Sequence, residues 1–150
     1  MKGQNPLISH TLIVVMSVLM LFLIVTTFDN IKKNQVRFLI KNEANVICST
    51  ISSQITKIYN NSTYSSSVNQ TNGWVKISTE KRLMGYNYKI YFSDSKIFIK
   101  SRDIEVNCSV PINAIFEGSS YGGDIKLTWI RLANGTNKIV MSKAFLGRSL

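Results

Sequence analysis

LISHTLIVVMSVLMLFLIVTTF, running from Leu7 to Phe28, contains no Asp, Glu, Lys or Arg. At 1.5 Å per residue a helix over this run spans roughly 33 Å, enough to cross the hydrocarbon core of a bilayer. A soluble helix of that length carries a polar face. Here the polar side chains are only Ser, Thr and a single histidine, His10. The run therefore predicts one transmembrane helix. A cleaved secretory signal fits less well, because the apolar stretch is longer than a signal core and Thr26-Thr27-Phe28-Asp29 is a poor small-x-small cleavage site. His10 lies close enough to the start of the run to snorkel to the interface.

Downstream the pattern becomes periodic. Val36, Ile40, Ala44, Ile47, Ile51, Ile55 and Ile58 recur every three or four residues, which is the stripe of an amphipathic helix. No Pro or Gly interrupts residues 7 to 59, so the spacing predicts one helix through both parts, about 80 Å long. Such a helix needs lateral partners for its stripe, either the rest of the chain or neighbouring copies. Residues 60 to 73, NNSTYSSSVNQTNG, have little to bury and read as an exposed loop. From Trp74 the period falls to two: Val75 and Ile77; Tyr86, Tyr88, Ile90 and Phe92; Ile97 and Ile99; Ile104, Val106, Cys108 and Val110; Ile125, Leu127 and Trp129; Ile139 and Met141. Turn signals at Ser93-Asp94-Ser95, Ser101-Arg102-Asp103, Gly118 to Gly123 and Asn134-Gly135 separate these runs. The expectation is roughly six hairpin-connected antiparallel strands in a small sandwich or barrel. The fold class is thus α+β, a long hydrophobic-to-amphipathic N-terminal helix followed by a small antiparallel β domain. The length of 150 residues leaves room for one anchor and one such domain.

The net charge is +10, and setting aside Lys2, the one charged side chain before the apolar run, leaves +9 for the rest of the chain. That surplus favours acidic partners such as nucleic acid, anionic headgroups or an acidic cell-surface layer, or else is a solvated basic surface without long like-charge runs. Lys32, Lys33, Arg37 and Lys41 directly after the helix point the domain to the cytoplasm by positive-inside counting. Three features point the other way. Asn60, Asn61, Asn69, Asn107 and Asn134 each begin an Asn-x-Ser/Thr sequon. The two cysteines, Cys48 and Cys108, are too far apart for a CxxC motif and form either a disulfide or two separate buried thiols. The segment from Ser62 onward is rich in Ser, Thr, Asn and Tyr, as on exposed β surfaces. Together they place the domain outside. A Cys48–Cys108 bond would pin the helix to the sheet and stabilise by roughly 4 kcal/mol in the chain-entropy model.

The inventory for catalysis is thin. His10 lies in the apolar run, so no Ser or Cys nucleophile can be given a histidine base. Asp94, Asp103, Glu105, Glu117 and Asp124 lack calcium-loop spacing, and no phosphate-loop or dinucleotide fingerprint occurs. The expectation is a non-enzyme with no cofactor and no metal.

Met1-Lys2-Gly3-Gln4, followed within a few residues by an uncharged apolar helix, resembles the class III signal peptides of archaeal type IV pilins and archaellins. The resemblance implies that a cytoplasmic-side peptidase cuts between Gly3 and Gln4, keeps the helix, and leaves it to bundle with other copies in a filament core. The chain departs from the family pattern at Pro6, and at Ile8, where many pilins carry Glu. The resulting division is 1–3 as signal peptide, 4–28 as transmembrane or filament-core helix, 29–59 as amphipathic extension, 60–73 as exposed loop and 74–150 as β domain. The leading expectation is a pilin-like subunit of a cell-surface filament whose partners are the membrane and copies of itself or related pilins. Two alternatives stand beside it. One is a permanently anchored β-sandwich accessory protein, similar to archaellum stator components, that binds surface-layer or filament proteins. The other is a surface protein that captures DNA through its basic outer portion.

Overall fold

The computed structural model describes residues 6–62 and 71–144. The chain divides into two compact units, Met1–Phe38 and Leu39–Leu150. One helix, α1 (Pro6–Ser62), contributes to both. Its only proline stands at the first described helical residue, where a missing N–H breaks no intrahelical bond. The proposed cleavage position, Gly3-Gln4, lies outside the described residues.

In the first unit no side chain from His10 to Phe38 is buried. Three hydroxyls within the apolar run turn back on the helix: Ser17 donates to Ile13 O at 2.8 Å and Thr27 to Leu23 O at 2.7 Å. Thr26 likewise lies 3.1 Å from Phe22 O. A hydroxyl satisfied by its own helix needs no water, which is what an apolar surrounding demands.

In the second unit the stripe on α1 becomes a core. Ile40, Ala44, Ile47, Cys48, Ile51 and Ile55 are buried, at the three- and four-residue spacing that faces one side of a helix. Seven strands follow: β1 (Thr71–Ser78), β2 (Lys89–Ser93), β3 (Lys96–Ser101), β4 (Ile104–Ser109), β5 (Ile115–Tyr121), β6 (Asp124–Arg131) and β7 (Asn137–Lys143). They form one sheet in the order β1-β6-β7-β5-β2-β3-β4. Register keeps the apolar positions in step across it, because directly paired residues share a face. Ile77 pairs with Ile125, Val75 with Leu127, Leu127 with Met141 and Trp129 with Ile139. On the other half Ile90 pairs with Ile99, Ile99 with Val106 and Ile97 with Cys108. This inner face and the α1 stripe are the two walls of the core, and the disulfide Cys48–Cys108 joins them.

Several sequence expectations change in the structure. Gly118 to Gly123 is not a turn throughout: Gly118 to Tyr121 belong to β5, leaving only Gly122-Gly123 to reverse the chain. The strand escapes the period-two pattern because the positions in phase with Phe116 are Gly118 and Ser120. Gly118 is required there, since its φ is +103° and a Cβ would fall 2.1 Å from Met141 O. Hairpins join β2 to β3, β3 to β4 and β6 to β7, but β7 lies between β5 and β6, and the β5–β7 pair is parallel. The strand expected from Tyr86 begins at Lys89, because Leu83 and Tyr86 close a tight bridge instead. Of the expected loop 60–73, Asn60 to Ser62 continue α1 and Thr71 to Gly73 begin β1, while 63–70 lie outside the described residues.

Candidate functional site

Two surfaces stand out, one in each unit. The first is the apolar part of α1. Phe22 is 66% exposed and Phe28 68%, and Leu12 to Ile24 are exposed throughout, although a folded chain covers side chains of this kind wherever it can. The helix is long and apolar enough to cross a membrane, with a peak mean hydropathy of 2.6 over a window of which none is buried. Lys32, Lys33 and Arg37 come within about three turns after Phe28 and are exposed. Cations at that position sit at headgroup depth when the run spans a bilayer. His10 is exposed near the opposite end of the run.

The second surface is the outer face of the sheet, where an alternating strand places every second residue. Trp74 is 63% exposed, with the Lys126 ammonium 5.2 Å from its ring centroid. Tyr91 and Phe98, paired across β2 and β3, stack at 5.3 Å with an interplanar angle of 11°. Tyr91 Oη donates to Glu105 Oε2 at 3.0 Å, a bond to the neutral phenol that pushes the Tyr91 pKa up. Tyr121 is 65% exposed. Lysines flank these rings: Lys89 lies 6.0 Å from the Tyr91 centroid, Lys76 pairs with Asp124 at 2.7 Å and Lys138 with Glu117 at 2.7 Å. The Lys76 ammonium holds the Asp124 carboxyl below the usual carboxylate range. Sequence reading did not single out these aromatics as a surface. Their signal was phase: Tyr91 and Phe98 stand one residue out of step with the inward Ile90, Phe92, Ile97 and Ile99.

Cys48 and Cys108 are bonded, with Cα atoms 6.1 Å apart. Asn60 near the end of α1, Asn107 on β4 and Asn134 in the β6–β7 turn all have exposed side chains, whereas those of Asn61 and Asn69 lie outside the described residues. Asn134 Oδ1 accepts from Thr136 N at 3.0 Å. Among the described residues no three His, Cys, Asp or Glu side chains come together as metal ligands would. A groove of about 470 Å³ runs beside α1, lined by Val46, Ile47, Thr50 and Ser78 to Lys81, with hydroxyls and one Glu-Lys neighbour pair but no histidine or cysteine. Comparison with protein-family models, with curated proteins and with solved structures finds no match in any of the three.

Proposed function

We propose that this chain is a pilin-like structural subunit of a cell-surface filament, held in the membrane by α1 before assembly. The observation that carries the reading is the division of labour along one helix. Its second part is covered by its own sheet, while its first part presents an uninterrupted apolar surface that no described residue of the first unit covers. Lipid covers that surface first, and neighbouring copies of the same helix replace lipid in a filament, where packing supplies the attraction. Lys2-Gly3-Gln4 near the start of the sequence supports processing after Gly3. An extracytoplasmic sheet domain, with glycans on its sequons, belongs to the same reading. Its supports are the disulfide and the exposure of Asn60, Asn107 and Asn134.

N-terminal mass analysis of membrane and sheared-filament fractions tests it. A mature chain beginning at Gln4 and present in filaments is the expected result; an intact Met1 overturns processing, and absence of the chain from sheared filaments overturns assembly.

A second reading, the permanently anchored accessory protein binding surface-layer or filament proteins, is favoured by the exposed aromatic and basic outer face of the sheet around Trp74, Tyr121 and Tyr91. It is selected if the chain is uncut, stays in membranes and never enters sheared filaments. The DNA-capturing reading stands on charge alone, and an affinity that does not fall with salt removes it.

A further inference from the structure

We propose that Asn107 carries an N-linked glycan whose innermost sugar packs on the Phe98 ring, so that this face of the sheet is completed by a covalent carbohydrate layer. The proposal rests on the extracytoplasmic placement of the domain and adds which asparagine is used and what receives its glycan.

The geometry is set by three neighbouring strands. Tyr91 on β2, Phe98 on β3 and Asn107 on β4 are register partners in one row of the outer face. Directly opposed residues have Cβ atoms about 4.5–5.5 Å apart. Tyr91 and Phe98 are stacked nearly parallel, so Tyr91 covers one face of the Phe98 ring. Phe98 is only half-buried, and the exposed Asn107 on β4 stands directly opposite it. Tyr91 is tied in place by Glu105, which lies two residues before Asn107 on the same face of β4. Two aromatic rings and a carboxylate therefore form a fixed backing beside an exposed asparagine. The Asn107 side chain makes no hydrogen bond among the described residues.

A half-buried Phe on the solvent side of a sheet is an unfinished contact. The C–H face of a pyranose ring is apolar and flat, and it suits the negative face of an aromatic quadrupole. A sugar on Asn107 is within reach of that ring by covalent necessity, because residue and ring are cross-strand neighbours. β4 is also an edge strand, the position at which a sheet is open to pairing with another chain. A glycan rooted there shields the edge from pairing with another chain. The other described sequons lack this arrangement: Asn60 belongs to the last turns of α1, and Asn134 sits in a turn with its carbonyl oxygen engaged by Thr136 N.

The modification itself is a group transfer from a polyisoprenoid-phosphate-linked glycan by a membrane-bound transferase. Asn107 Nδ2 bonds to the anomeric carbon as the bond from that carbon to the phosphate oxygen breaks. The lipid phosphate departs with the electron pair, and Nδ2 loses one proton to a base of the transferase.

The test uses the full-length chain purified from the cells that make it. Peptide mass analysis is expected to find a glycan on Asn107 and an oxidised Cys48–Cys108 pair in the same molecules. Thermal unfolding then compares Asn107→Gln on two backgrounds. With Phe98 present, Asn107→Gln lowers Tm by about 4 °C, the shift that loss of one aromatic contact produces in a domain of this size. With Phe98→Thr, the further substitution at Asn107 leaves Tm unchanged. A bare Asn107 beside an oxidised disulfide overturns this proposal alone. Unmodified sequons together with reduced cysteines overturn the extracytoplasmic reading as well. A glycosylated Asn107 with equal Tm shifts on both backgrounds overturns the role of Phe98.

Discussion

Tyr88 is 2% exposed and ties the start of the sheet together. Its hydroxyl donates to Glu80 O at 2.5 Å and lies 2.9 Å from Thr79 Oγ1, which donates in turn to Gly123 O at 2.8 Å. The ring fits only because residue 122 is glycine, where a Cβ would come within 2.3 Å of Tyr88 Cε1. Tyr88→Phe removes the bond and leaves Glu80 O without that donor, so urea unfolding at neutral pH is expected to show a loss of about 1–2 kcal/mol. Burial raises the Tyr88 pKa above its ordinary 10.0, because the charged phenolate is poorly solvated there. The folded state thus favours the neutral phenol, and this stabilisation is complete below about pH 10 and is lost as pH rises through the raised value. Stability is therefore expected to fall more steeply above about pH 10 in the parent protein than in Tyr88→Phe, as measured by urea midpoints across that range. Gly118 is constrained as tightly as Gly122, by its left-handed φ and by the Met141 carbonyl beside it. Local sequence marks both glycines as places of freedom. It does not say that one of them is a strand residue, because the constraint comes from β7, a distant segment.

At the scale of elements, α1 is the part most open to reading from sequence, since periodicity and the lack of Gly and Pro are local properties. Its stripe gives a direct contrast. Ile51→Ala, at a side chain with no exposure, is expected to cost about 3 kcal/mol, whereas Val46→Ala, at a side chain 64% exposed, costs nearly nothing. Both are measured by denaturant unfolding of the full chain in detergent. The disulfide joins α1 to β4 across a separation of 60 residues. Closing such a loop restricts the unfolded chain, so reduction, or Cys48→Ser with Cys108→Ser, is expected to lower stability by about 4 kcal/mol. The same unfolding midpoint measured with and without reductant checks it. Strands with alternating Ile and Val were legible for the same local reason as the helix. β5 was not, because Gly118 and Ser120 interrupt its apolar alternation where β7 and β2 crowd it.

At the scale of the whole molecule, the decisive contrast is between the two units. The chain from Leu39 onward has its own core, and a protein beginning there is expected to remain folded and dispersed without detergent, as size-exclusion chromatography would show. The apolar segment behaves oppositely. A single Val18→Arg near its centre is expected to cost about 3 kcal/mol of membrane insertion and to shift the chain from the carbonate-resistant to the carbonate-extractable fraction. Sequence alone determined that one helix runs from the apolar stretch to the end of the stripe, that its first part is apolar all round, and which residues of most strands point inward. Each of these comes from the spacing of side chains within one segment, and spacing is written in the chain. Tertiary structure decided that β1 pairs with β6, that β7 enters between β5 and β6, that Cys48 meets Cys108, and that Phe98 stands opposite Asn107. Strand order and register depend on how many faces are buried together, a collective quantity that no local window contains.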